Sequence, residues 1–242
     1  VAAIGDIHCA LGARGKLKPL FGAMRRQAEV FLLCGDLTDN GLPEEAEILA
    51  SELEAADAPF VAAVLGNHDF HSDHVEEVRK ILTSGGVKIL DGDACEFRGV
   101  GFTGVKGFIG GFDSRMLQAW GEESIKHVVH ESMEESLKLE SGLAKLQSEP
   151  RVVLLHYAPI QATVVGEPSE IYAFLGSSRL EEALHRHSVQ AVFHGHAHNG
   201  TPEGRTENGI PVYNVALPVM KRLRPEEPFR TLEIRVPVPH AE

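Results

Sequence analysis

The sequence is short of cysteine, of positive charge and of long apolar runs. Its three cysteines, Cys9, Cys34 and Cys95, form no CxxC pair, and an odd count leaves no complete disulfide framework. A structural zinc knuckle is disfavoured on the same ground, and a reducing cytoplasm fits best. Lysine and arginine number 23 against 35 acids, giving a net charge of −12. A broad grip on DNA or RNA, which rests on neutralising phosphates, is therefore not expected, nor is binding to an anionic lipid surface. Apolar runs such as Val30–Cys34 and Val152–Leu155 have strand length, and none approaches the ~20 residues of a membrane span. Internal repeats and low-complexity linkers are also absent. No signal peptide is visible, although the chain opens at Val1 without a Met, which leaves a removed leader open.

What remains is an ordinary globular composition: 43% apolar and 24% charged over 242 residues. That suits one large α/β domain covering 1–242. The thirteen histidines stand out, several of them beside Asp and Gly. Short buried-looking strands are expected at Val1–Gly5, Val30–Cys34, Phe60–Leu65, Arg151–Leu155 and Gln190–Phe193. Closing strands are expected at Val212–Val215 and Thr231–Val236, and Gly-punctuated antiparallel strands between Val87 and Val105. Helices are read at Gly12–Ala28, Pro43–Ala56, Val75–Thr83, Glu122–Leu146 and Arg179–His187. Residues 112–148 read as a helical insertion, and Pro237–Glu242 as a loose tail. Strands buried on both faces imply a sheet covered by helices.

The chemistry follows the strands. Asp6-Ile7-His8 follows the first, Gly35-Asp36-Leu37-Thr38-Asp39-Asn40-Gly41 the second and Gly66-Asn67-His68-Asp69 the third. His156 follows Arg151–Leu155, and His194-Gly195-His196-Ala197-His198 follows Gln190–Phe193. Ligands of open α/β sheets bind at the carboxyl ends of strands. Each group alone has an ordinary explanation: a turn, a surface pair or a satisfied core histidine. Five such strand ends in one chain point instead to a shared site. Asp carboxylates, an Asn carbonyl and neutral imidazoles form a mixed O/N donor set that suits Mn, Fe, Zn or Co. Seven donors exceed one tetrahedral ion and match two ions sharing a carboxylate.

These motifs, D-x-H, G-D-x-x-D-x-G, G-N-H-D, H and G-H-x-H in that order, resemble the calcineurin-like metallophosphoesterase superfamily. The resemblance implies an α/β fold, a four-layer αββα sandwich of two mixed β-sheets flanked by helices. It implies two divalent transition-metal ions, with manganese favoured. Asp6, His8 and His198 would bind one, Asn67, His156 and His196 the other, and Asp36 both. His68 would assist the leaving group and Asp39 would orient it. The implied reaction is hydrolysis of a small phosphodiester or phosphomonoester by a hydroxide shared between the ions, with the diester slightly favoured. Asn40 stands where the Ser/Thr protein phosphatase branch carries Arg, which argues against that branch.

A non-catalytic protein-binding scaffold would be expected to have lost donors that this chain keeps. A nuclease of the superfamily would want length and a basic surface. The acidic face of 112–148 could serve a homo-oligomer. His194 reads as a core residue, Cys9 as a packing residue, and His71, His74, His127 and His130 as solvated. Arg14, Lys106 and Arg222 are cations without an assigned role.

Overall fold

The computed structural model describes residues 1–236; the expected tail Pro237–Glu242 lies outside them. In chain order the strands are β1 (Ala2–Ile4), β2 (Val30–Cys34), β3 (Phe60–Val64), β4 (Val87–Ile89), β5 (Ala94–Phe97), β6 (Val100–Val105), β7 (Arg151–Leu155), β8 (Ala191–His194), β9 (Glu203–Arg205), β10 (Pro211–Asn214) and β11 (Arg230–Thr231). The helices are α1 (Lys18–Gln27), α2 (Pro43–Ala56), α3 (Val75–Ser84), α4 (Glu123–Lys145), α5 (Ser178–Leu184) and α6 (Leu217–Leu223).

Two mixed sheets result, ordered β11-β1-β2-β3-β4 and β5-β6-β7-β8-β10-β9. Strands β1 to β4 are parallel, as are β6, β7, β8 and β10. The antiparallel pairings are those of β11, β5 and β9 with their neighbours.

Side-chain alternation builds the layers. In β2, Leu32 and Cys34 face the second sheet, whereas Phe31 and Leu33 face the helices. In β7, Val152 and Leu154 meet the first sheet, and Val153 and Leu155 meet the other helical layer. Helices α1, α2 and α3 cover the first sheet. Helices α4 and α5 cover the second through Leu139, Leu143, Leu180 and Leu184. The order is helix, sheet, sheet, helix.

Helix α2 begins at Pro43 with Glu44 and Glu45 in its first turn, where acids offset the helix dipole. The Glu45 carboxylate also accepts the amides of Asn40 (2.8 Å) and Leu42 (3.3 Å), tying the helix to the loop before it.

Four expectations change. The segment 112–148, read as an insertion, contains α4, which joins the parallel strands β6 and β7 and forms a layer of the sandwich. Strand β4 pairs in parallel with β3 rather than in an antiparallel run, so only β5 and β6 form the hairpin. The first helix shortens to α1 after a single-turn helix at Leu11–Ala13. The last strand is only two residues long; Leu232 still exchanges both backbone hydrogen bonds with Val1 (2.9 and 3.0 Å), and 233–236 run without strand pairing.

The inter-sheet layer depends on large side chains such as Phe102, fully buried on β6. Phe102→Ala is expected to cost about 3–5 kcal/mol of stability, readable as a lowered urea midpoint.

Candidate metal centre

The carboxyl ends of β1, β2, β3, β7 and β8 point to one edge of the sandwich. The first two loops stay laced beyond their strands, because Asp6 N donates to Gly35 O and His8 N to Asp36 O, both at 3.0 Å. Asp69 ties the third loop to the second. Its buried carboxylate accepts the amides of Leu37 (3.2 Å), Thr38 (2.8 Å) and Gly66 (2.8 Å), and the Thr38 hydroxyl at 2.6 Å. Burial pushes the Asp69 carboxyl up against the pull of those donors. Its position in the G-N-H-D motif gave it no role; the structure makes it the staple of two site loops.

Glycines let the loops close on each other. A methyl at Gly66 would collide with the Asp36 carboxylate, and one at Gly195 with that of Asp6. Asp6, His8, Asp36 and His196 hold left-handed φ of 55°, 46°, 47° and 65°, a conformation that costs non-glycine residues roughly 1–3 kcal/mol each.

The structure brings expected donors, together with His68, into three contiguous groups: Asp6 with His8 and His198, His8 with Asp36 and His68, and Asp36 with His156 and His196. Asn67 joins the last through Oδ1, 2.9 Å from His156 Nε2. Asp36 faces both ways, with Oδ2 at 3.8 Å from His8 Nε2 and Oδ1 at 3.3 Å from His156 Nε2. Asp6 takes the His196 amide at 3.0 Å and sits 2.9 Å from His198 Nε2.

Hydrogen bonds behind the rings set their tautomers. His156 Nδ1 lies 3.0 Å from the Cys34 carbonyl, which can only accept, so Nδ1 carries the proton. Nε2 therefore turns a lone pair toward the oxygens of Asn67 and Asp36. Converging lone pairs require a proton or a cation between them. His196 Nε2 donates to Phe174 O at 3.1 Å, leaving Nδ1 free to coordinate. His8 Nδ1 is buried without a hydrogen-bond partner. These features and the mixed O/N donors fit a divalent transition metal.

Burial pushes His196 down to about 4 and also lowers His8, so both are neutral, ligand-ready imidazoles at pH 7. Burial would raise Asp6, but the hydrogen bond from His198 and the nearby His156 and His196 outweigh it, and its pKa falls. The same bond raises that of His198.

Two placements differ from expectation. His68, expected to assist the leaving group rather than to bind metal, packs its ring perpendicular to that of His8 at 4.4 Å and joins the middle group. Its Nδ1 is held at 2.7 Å by the backbone carbonyl of Asp39. The Asp39 carboxylate instead lies 3.4 Å from His8 Nδ1. Asn40 turns to Glu45 and Asp39 rather than into the site.

His194 is fully buried between Thr163 Oγ1 and the Gly195 carbonyl, both at 2.8 Å, and burial lowers its pKa to about 4. Cys9 packs in the first core, where burial raises its thiol to about 12. His71, His74, His127 and His130 are exposed.

A family model described as calcineurin-like phosphoesterase matches residues 1–200. The chain belongs to that family. Among solved structures, the chain is similar to the phosphopantetheinyl hydrolase of Mycobacterium tuberculosis, at 16% identity and TM-score 0.66, covering 100% of this chain and 97% of that one. It is similar to TT1561 of Thermus thermophilus, at 16% identity and TM-score 0.55, covering 97% of this chain and 98% of that one. It also resembles the purple acid phosphatase PPD1 of yellow lupin, Lupinus luteus, at 12% identity and TM-score 0.54, covering 88% of this chain and 43% of that one. At such identities the likeness concerns the fold. A search of curated proteins finds no match. Among the described residues, no helix is long and apolar enough to cross a membrane.

Asp69→Ala would leave three buried amides unpaired, at roughly 1–3 kcal/mol each. A fall of at least about 3 kcal/mol in unfolding free energy is expected, measured by denaturant titration.

Proposed function

We propose that this chain is a two-metal phosphoester hydrolase acting on a small phosphodiester or phosphomonoester, with the diester favoured. The observation that carries the reading is the Asp36 carboxylate, whose two oxygens face separate donor sets at His8 and His156. Asp6, His8 and His198 would hold one ion, Asn67, His156 and His196 the other, and Asp36 would contact both. Bound divalent cations supply Lewis acidity that activates water and offsets phosphoryl charge.

The chain's own groups do the rest. The Asp39 carbonyl accepts from His68 Nδ1, which aims Nε2 away from that bond. Protonated, His68 delivers the Nε2 proton to the leaving oxygen. Contact with the His8 ring keeps it beside the donor sets. Asp39 acts on that ring through its backbone, and its carboxylate, 3.4 Å from His8 Nδ1, makes no hydrogen bond to either ring.

The deciding assay loads the protein with Mn2+ and compares p-nitrophenyl phosphate with bis-p-nitrophenyl phosphate. A phosphopantetheinyl ester is a third substrate, since that group appears in the name of the mycobacterial fold neighbour. Faster turnover of the bis ester supports the diester reading, and no turnover of any ester rejects the hydrolase.

His68→Ala is expected to keep its metal and lose about 10²–10⁴-fold in kcat. Asp36→Asn and His156→Ala are expected to shed metal, read by elemental analysis. Asp39→Ala preserves the backbone bond to His68 and is expected to lose less activity than His68→Ala, with an equal loss counting against the backbone assignment.

A further inference from the structure

The centre is partly open to solvent, with Asp6, Asp36 and His156 buried and His8, Asn67, His68, His196 and His198 partly exposed. On the first donor set, the His8 and His198 side chains are 23% and 41% exposed, whereas Asp36 and His156 are 1% and 0%. Among these four donor side chains His198 is the most exposed, so one approach for a phosphoester runs across it. Arg222 stands there. Its Nη1 donates to the His198 carbonyl at 2.8 Å, and the side chain is otherwise exposed.

The position of Arg222 is built. It rides on α6, whose first residues are tied to the site: Leu217 N donates to Gly5 O at 2.9 Å, and Ala216 N to the buried Asn214 Oδ1 at 3.1 Å. Asn214 Nδ2 in turn donates to Ala197 O at 2.8 Å, between the two histidines of the last motif. Among the described residues, no carboxylate lies within ion-pair distance of the guanidinium. One donor is spent on the carbonyl, and the others remain available as a planar fork suited to phosphate or carboxylate.

The His198 carbonyl is a side chain's length from the ring nitrogen facing Asp6, so Arg222 lies outside the donor cage. It would reach a second anionic group on the ester rather than the reacting phosphorus. Lys106 is a poorer candidate. Burial lowers its pKa, its ammonium lies over the rings of Phe108, Tyr157 and Phe70, and Glu135 and Glu131 are close by.

The geometry points to Arg222 as a specificity residue that holds a second anionic group, phosphate or carboxylate, a few bonds from the scissile phosphorus. This rests on the phosphoester reading above.

The test compares 4-phosphonobutyrate with butylphosphonate, in which a methyl group replaces the carboxylate. Binding to the Mn2+-loaded protein is measured by calorimetry, and inhibition against p-nitrophenyl phosphate is measured in parallel. The unaltered chain should bind the carboxylate compound about tenfold more tightly, as one charge-assisted pair allows. Arg222→Gln should abolish that ratio while leaving butylphosphonate affinity and metal content unchanged. Arg222→Lys should restore part of it. Lys221→Gln, an equal charge change one residue away, should keep it.

A ratio of one in the unaltered chain overturns the proposal. So does an Arg222→Gln variant that sheds metal or weakens both ligands equally, because Arg222 would then be only a clamp on His198. If the ratio appears by calorimetry but no ester is turned over, the hydrolase reading fails and the Arg222 assignment stands. Turnover without the ratio leaves the hydrolase standing and removes the Arg222 assignment.

Discussion

The apolar layer between the two sheets governs every distance in the site. Asp6, His8, Asp36, Asn67 and His68 follow strands of the first sheet, and His156, His196 and His198 follow strands of the second. Leu32, Cys34 and Val64 on one side, and Phe102, Leu154 and Phe193 on the other, set how the sheets meet. A sideways slip of one sheet would part His156 from Asp36 and His198 from Asp6 together. Core packing and metal geometry are thus one constraint, and interiors packed to crystal-like density leave little slack for such a slip.

Much of this could be read from the chain. Val30–Cys34 alternates between two cores, and continuous apolar runs of that kind belong to strands covered on both faces. The order of the motifs named a family, and Asp6, His8, Asp36, His68, His156, His196 and His198 from those motifs lie together in the structure. The fold followed because parallel strands deliver their loops to one edge.

What stayed hidden has physical causes. The bond from His68 goes to a backbone carbonyl, which every residue possesses, so Asp39 offered a carboxylate that the structure uses elsewhere. Asp69 works through backbone amides of another loop, and no spacing rule encodes such a contact. Helical periodicity showed α4 but not the surface it covers, so a layer of the sandwich looked like an addition. Strand β9 escaped notice because Glu203–Arg205 carries no apolar alternation.

Four donors sit on backbone that other residue types avoid, and glycines press against two of the carboxylates. That unfavourable geometry is set by the folded chain itself, through loops laced and stapled to one another before any ion is considered. The centre is accordingly a rigid mould. Its selectivity among cations would come from the shape it already has, and ions of the wrong radius would meet resistance from the whole scaffold rather than from a few adaptable side chains.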